Sequence, residues 1–136
     1  MERRAFCNIF AVVTLLIPAV PAFAHHSFSA VFDADKPVTV KGVITEIRLE
    51  NPHSWFFVDV TDASGKVTRW GFEGSTPTSL IRSGYKRDAL KVGDKVTIRG
   101  SRARDASASM GAARDITLED GRTFIVGPKG NEADIQ

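Results

Sequence analysis

Short segments of alternating apolar and polar residues follow one another from Val38 to Val126. β-branched and aromatic residues recur in them with a period of two, which predicts strands that bury one face. Six segments have this pattern: Val38–Leu49, Trp55–Thr61, Val67–Glu73, Val96–Arg102, Ala113–Leu118 and Arg122–Val126. Tight turns are predicted at Asp62–Gly65 and Asp120–Gly121. The pattern therefore predicts a mostly β protein.

One short helix is predicted between the third and fourth strands. Ser75-Thr76-Pro77 supplies an N-cap followed by a proline, and the helix is expected over Thr78–Ser83, ending at Gly84. Five to six strands with a single helix at this point match the order of a small OB-type Greek-key barrel over residues 38–126. An immunoglobulin-like sandwich would have about seven strands and no helix.

The first 24 residues have the features of a cleaved export signal. Arg3 and Arg4 precede an uncharged run, Ile9–Val20, and Ala22-Phe23-Ala24 has the small-x-small pattern of a signal-peptidase site. Cleavage after Ala24 would place a soluble protein in the periplasm, with no transmembrane segment after signal removal. The paired arginines also resemble a twin-arginine signal, but the apolar run suits the general secretory route.

Composition removes several functional classes. Lys and Arg number 18 against 16 Asp and Glu, and no basic block stands out, so nucleic acid is not expected as a partner. The only cysteine, Cys7, lies in the predicted signal, which leaves the mature chain without disulfides or thiolate chemistry. The common motifs of hydrolases, phosphate-binding loops and zinc proteases are absent, so an enzyme is disfavoured. A copper oxidase or oxygenase is disfavoured too, since a small barrel offers little substrate cleft.

The three histidines occupy two places in the chain. His25 and His26 begin the predicted mature protein, and His53 lies between the first two strands. After cleavage, His25 would have a free α-amine with a pKa of about 8, which a metal can deprotonate near neutral pH. The amine, its own ring and a second imidazole form a histidine brace, a nitrogen-rich set that favours Cu(II). His53 is the expected third nitrogen, and His26 could replace or join it.

Simpler interpretations exist for the same residues. His25 and His26 could lie in a solvated terminus, and His53 could be a turn residue bonded to the backbone. Met110 could supply a thioether to Cu(I), but packing on the barrel is the favoured interpretation.

A long path separates the two histidine groups if the first strand starts at Val38. Residues 25–37 are predicted to form an N-terminal arm anchored by Phe28 and Phe32, and residues 127–136 a flexible tail. The 12 residues from Val38 to Leu49 would span roughly 40 Å as a strand, so the arm must run back along the barrel. We expect His25 or His26 to come within ligation range of His53 when metal is bound.

Several motifs resemble an uncharacterised family of small exported bacterial proteins, known only as a domain of unknown function. They are His25-His26-Ser27-Phe28, Asn51-Pro52-His53, Trp70-Gly71-Phe72-Glu73 and Leu90-Lys91-Val92-Gly93-Asp94. The resemblance covers the mature chain and implies a periplasmic location and a barrel-like fold. It implies no activity.

Two functional hypotheses follow. The first is a non-enzymatic copper-binding protein with His25, His26 and His53 as ligands, for copper buffering or delivery to another exported protein. The second is an OB-fold interaction module that docks a partner protein or small ligand without metal. Its surface would be the aromatic residues Trp55, Phe57 and Trp70 or the Arg82–Arg87 segment. The alternation does not decide which aromatic rings face outward.

Overall fold

A computed structural model describes residues 28–128 of the chain. His25 and His26 lie outside these residues, as do the predicted signal and residues 129–136. Two helices and six strands are present in the described part. They are α1 Phe28–Val31, β1 Phe32–Arg48, β2 Trp55–Thr61, β3 Val67–Glu73, α2 Pro77–Arg82, β4 Lys95–Ala103, β5 Met110–Leu118 and β6 Thr123–Ile125.

The strands of residues 28–128 form one sheet in the order β3-β2-β1-β4-β5-β6. These neighbouring strands pair antiparallel. β3 also pairs in parallel with β5, from Gly71 and Met110 to Glu73 and Ala112. The pairings therefore return from β3 through β5 and β4 to β1. The prediction of a mostly β protein with one helix between the third and fourth strands is confirmed, and α1 is added before the first strand.

The first strand is longer than predicted. It begins at Phe32 rather than Val38, because Phe32 pairs with Ala103 at the end of β4. The register shifts before Pro37, where the proline interrupts regular pairing. The polar residues between Phe32 and Pro37 hide the strand from a periodicity analysis. The arm predicted over residues 25–37 is therefore strand from Phe32 onward.

The start of β5 and the start of the C-terminal tail also differ from the prediction, and a long-range contact is again the reason. β5 begins at Met110 rather than Ala113, because its first residues pair with β3. The predicted tail starts too early, since Gly127 is buried and its N–H donates to the carbonyl of Arg114 at 3.0 Å. Neither contact leaves an alternating pattern in the sequence.

The core contains the inward-facing residues of the strands and the residues around α2. Phe56 and Val58 on β2 are fully buried, while their neighbours Trp55 and Phe57 are half-buried on the opposite side of the strand. The largest fully buried apolar side chains are Phe56, Phe72, Ile44, Leu80, Ile98, Ile116, Val58 and Val126. Burial of such side chains contributes about 1.5–3 kcal/mol each to folding, which accounts for a stable sheet without disulfides.

The helix α2 and the first hairpin use the local chemistry that the sequence predicts. The Thr76 side chain accepts a hydrogen bond from the Ser79 N–H, and Pro77 occupies the first turn of the helix. In the β2–β3 turn the Asp62 carboxylate accepts from the backbone of Ser64 and Lys66. None of the helices within residues 28–128 has the length and apolar character needed to cross a membrane.

Close approach between β4 and β5 depends on Gly100. A Cβ at this position would overlap the carbonyl oxygen of Ala112, a backbone atom that the sheet holds in place. We predict that Gly100→Ala lowers the free energy of unfolding by about 2 kcal/mol or more. Urea unfolding measures the change. The neighbouring Ser101→Ala is the matched control, expected within about 0.5 kcal/mol of the parent. Equal stability of the two variants would contradict the close approach.

Candidate functional site

The side chains of His53 and Glu73 are in contact at the end of the sheet where β2 begins and β3 ends. His53 lies in the β1–β2 connection, after the cis peptide bond of Asn51-Pro52, and its side chain is 41% exposed. Its Nδ1 contacts Oε1 of Glu73. A carboxylate at Nδ1 holds a proton there, so the Nε2 lone pair points away from the pair and is available to a ligand.

Backbone hydrogen bonds place the two side chains together. The N–H of Ser54 donates to the carbonyl of Ser75 at 3.1 Å, and the N–H of Gly74 donates to the carbonyl of Ser54 at 2.8 Å. His53 and Glu73 each precede one of these bonded residues. The β1–β2 connection is therefore tied to the segment after β3, and the histidine is positioned by backbone as well as by its carboxylate.

A second apolar cluster brings the start of the described chain toward Glu73. Ala112 on β5 is the parallel partner of Glu73, and it is buried together with Phe32 and Ala103. Phe28 packs against this cluster, with its ring centroid 5.5 Å from that of Phe32. The helix α1 therefore packs on the cluster that includes Ala112, the strand partner of Glu73.

This arrangement shortens the path expected from the sequence. Phe32 is adjacent to β4, β4 to β5, and β5 to β3, so three interstrand steps of about 4.8 Å lead across the sheet, roughly 15 Å in all. The path along a straight first strand would be more than twice as long. His25 and His26, outside the described residues, precede Phe28 by three and two positions.

The remaining predicted ligand is placed near the same cluster. Met110 opens β5 and packs, partly buried, against the residues that surround Ala112. This position agrees with the packing interpretation of Met110, and its role as a thioether ligand stays a prediction. Residues 28–128 contain no group of three or more His, Cys, Asp or Glu side chains that could hold a metal ion. The His53 and Glu73 pair is incomplete as a metal centre by itself.

The outer face of β2 and β3 carries two of the candidate aromatic residues. Trp55 and Phe57 stack with ring centroids 6.0 Å apart and an interplanar angle of 17°. Both rings lie over Gly71, where a Cβ would sit 3.2 Å from Cε1 of Phe57 and 3.6 Å from Cζ3 of Trp55. The structure thus decides which set of rings points outward.

Trp70 lies on the other face. It opposes the buried Val58 across β2 and β3 and stacks on the fully buried Phe72 at 5.8 Å. Trp55, Phe57 and Trp70 therefore do not form the continuous surface patch that a docking module with all three rings would need.

Two arginines that the sequence analysis did not identify complete the outer face. The guanidinium carbons of Arg48 and Arg69 lie 4.9 and 4.8 Å from the centroid of Phe57. Arg48 Nε and Arg69 Nη2 donate to the two carboxylate oxygens of Glu46. The hydrogen bond from Arg48 is the main cause that lowers the pKa of Glu46, and it raises the pKa of Arg48. These residues come from three strands, so only the strand register brings them together.

The Arg82–Arg87 segment differs from a simple exposed connection. Arg82, Lys86 and Arg87 are exposed, but Tyr85 between them is buried and packs edge-on against Phe56 and Phe124. Burial raises the pKa of Tyr85 to about 12. The segment is therefore anchored to the core, and its docking role stays a prediction.

The class of protein is thus a small mostly β domain with a histidine–carboxylate pair at one end of its sheet. A model of a family of unknown function, DUF6152, matches residues 12–112, and the chain belongs to this family. The comparison with curated proteins found no match. Among solved structures, the dimeric N-terminal domain of PriB from Thermoanaerobacter tencongensis is similar at 22% identity and a TM-score of 0.42, with 62% of this chain and 96% of that chain covered.

The Glu46 pair gives a pH dependence with a defined sign. Because the folded pKa of Glu46 lies below its unfolded value, its contribution to stability is complete above the ordinary glutamate pKa and is lost as pH falls through the folded pKa. We predict that a carboxyl-detected NMR titration finds Glu46 titrating below an ordinary glutamate. In Arg48→Gln the titration should move upward, whereas Arg122→Gln, a control arginine paired with Asp120, should leave it in place. An unchanged Glu46 titration in Arg48→Gln would contradict Arg48 as the main cause of the lowered pKa of Glu46.

Proposed function

We propose that this protein is a non-enzymatic periplasmic copper-binding protein. Its metal ligands are the N-terminal His25, with its free α-amine, His26 and His53, and it serves copper buffering or delivery to another exported protein. The contact between His53 Nδ1 and Glu73 Oε1 is the observation that carries this proposal.

The pair has the chemistry of a metal-binding histidine. Such histidines commonly donate the N–H of one ring nitrogen to a carboxylate, which orients the ring and makes the other nitrogen a better electron-pair donor. Glu73 has this role for His53. With 41% of its side chain exposed, His53 is accessible to an ion from solvent. A turn histidine bonded only to backbone would lack the carboxylate partner.

The position of α1 supports ligands from the N-terminus. Phe28 packs against the cluster that includes Ala112, and Ala112 pairs with Glu73. The three interstrand steps from Phe32 to β3 amount to roughly 15 Å. The three residues from His25 to Phe28 can cover about 11 Å when extended, and the imidazole side chains add to this reach. One imidazole on the sheet and two imidazoles with an amine at the terminus make a nitrogen-rich set, which suits Cu(II).

The circuit of pairings through the β3–β5 contact supports a closed OB-type Greek-key barrel. Export with cleavage after Ala24 is required for the α-amine of His25 to exist, and the signal-like composition of residues 1–24 supports it.

A second candidate function is the metal-free interaction module. The outward position of Trp55 and Phe57 favours it, because half-exposed aromatic rings on a sheet face are suited to a partner protein or a small ligand. The inward position of Trp70 reduces the available patch. The two candidates differ in whether copper binds.

The affinity for Cu(II) should depend on His53, Glu73 and the α-amine of His25. Titration of Cu(II) into protein that starts at His25, verified by mass spectrometry, should give one tight site. His53→Ala should weaken it strongly, and Glu73→Gln should weaken it by about 10- to 100-fold, the usual effect of removing a ligand's carboxylate partner. One extra residue before His25 should also weaken it, because the amine chelate is lost.

Glu119→Gln is the matched control for the carboxylate. Glu119 is 71% exposed and pairs with Lys95, outside the site, so its loss should leave copper affinity unchanged. Equal affinity in the parent, His53→Ala and the extended protein would overturn the copper proposal and favour the metal-free module.

The second prediction locates the ion with the two tryptophans of the chain. Trp55 is the cross-strand partner of Glu73 on the outer face, whereas Trp70 lies on the opposite face. Bound Cu(II) quenches indole fluorescence steeply with distance. Trp70→Phe, which keeps Trp55, should therefore show strong quenching at one equivalent of Cu(II), and Trp55→Phe should show weak quenching. Stronger quenching of Trp70 would place the copper away from His53.

A further inference from the structure

We infer that the outer face of β2 and β3 holds a binding site for a small aromatic monocarboxylate. Arg48 and Arg69 would bind the carboxylate, and Trp55 would stack on the ring. The inference does not depend on the copper site, since none of these three residues is a proposed metal ligand.

The two guanidinium groups are held in place before any ligand arrives. Each lies over Phe57 at about 5 Å from the centroid, and each donates one nitrogen to Glu46. An arginine has five N–H donors, and within residues 28–128 neither side chain has another hydrogen-bond acceptor. Their side chains are 49% and 52% exposed. Each half-exposed guanidinium therefore keeps free N–H donors, and a planar guanidinium can bind a carboxylate in a bidentate manner.

Charge favours a monoanion over a dianion. Arg48 and Arg69 exceed Glu46 by one positive charge, and Asp59, the cross-strand partner of Arg69, adds a further carboxylate to the same face. Glu73 lies on the same face, two positions along β3 from Gly71, and adds repulsion against a more highly charged ligand. A phosphate dianion is thus a poorer match than a carboxylate.

Trp55 supplies a surface for a flat ring. One face of its indole stacks on Phe57, and within residues 28–128 no arginine or lysine lies over the ring. The partly exposed indole can therefore stack with an aromatic ring. The Trp55 and Phe57 centroids are 6.0 Å apart, and the guanidinium groups lie over Phe57. A ligand with a short spacer between ring and carboxylate fits this separation.

Phenylpropionate tests the inference, with EDTA present to remove metal ions. Calorimetric or NMR titration should show binding, and phenylpropionamide should bind about tenfold or more weakly, since it lacks the charge. Cyclohexylpropionate should also bind more weakly, because its ring is not aromatic. Fluorescence of the Trp70→Phe protein should change on binding, since Trp55 is then the only indole.

Conservative variants separate the site from the fold. Arg69→Lys keeps the charge but removes the planar fork, and it should reduce phenylpropionate affinity about tenfold with an unchanged circular dichroism spectrum. Arg122→Lys, on a distant turn, should leave affinity unchanged. No binding, equal binding of the acid and its amide, equal binding of inorganic phosphate, or unchanged affinity in Arg69→Lys would each overturn the inference.

Discussion

The parallel pairing of β3 with β5 is the constraint on which the rest of the structure depends. It spans only three residue pairs, from Gly71 and Met110 to Glu73 and Ala112. Without it the sheet would end at β3 on one side and at β6 on the other, and the two ends would have no reason to approach. With it, the end of β3 and the start of β5 are adjacent in the sheet. Glu73 therefore lies beside the apolar cluster that contains Ala112.

Small residues make this close approach possible. A Cβ at Gly111 would lie 2.8 Å from the carbonyl oxygen of Ser101 and 2.9 Å from Cε1 of Phe72, closer than real Cβ contacts allow. Gly71 leaves room for the edges of the stacked Trp55 and Phe57 rings beside β3. Gly111 therefore makes room for Phe72 on the core side of β3, and Gly71 makes room for Trp55 and Phe57 on the outer side.

The outer surface is organised by charge and aromatic contact together. Glu46 holds two arginines over Phe57, and Glu73 holds His53 beside Trp55. Exposed polar contacts of this kind contribute little to stability, since water competes for the same groups. Their main consequence is to fix side-chain orientation, which leaves donors and a ring nitrogen directed at solvent. This is why both proposals, for copper and for a carboxylate, involve the same face of the sheet without sharing a ligand.

The sequence by itself determined the strands β2 and β3, the helix after them and the order of elements from β1 to β6, because alternation, turn residues and an N-cap act over a few neighbouring positions. It also pointed to His53, since a histidine next to a strand end is visible without a fold. The start of β1, the first residues of β5 and the partners Glu73, Arg48 and Arg69 were decided only by the tertiary structure. Each depends on pairing between residues far apart in the chain, and such contacts leave no periodic signal in one sequence.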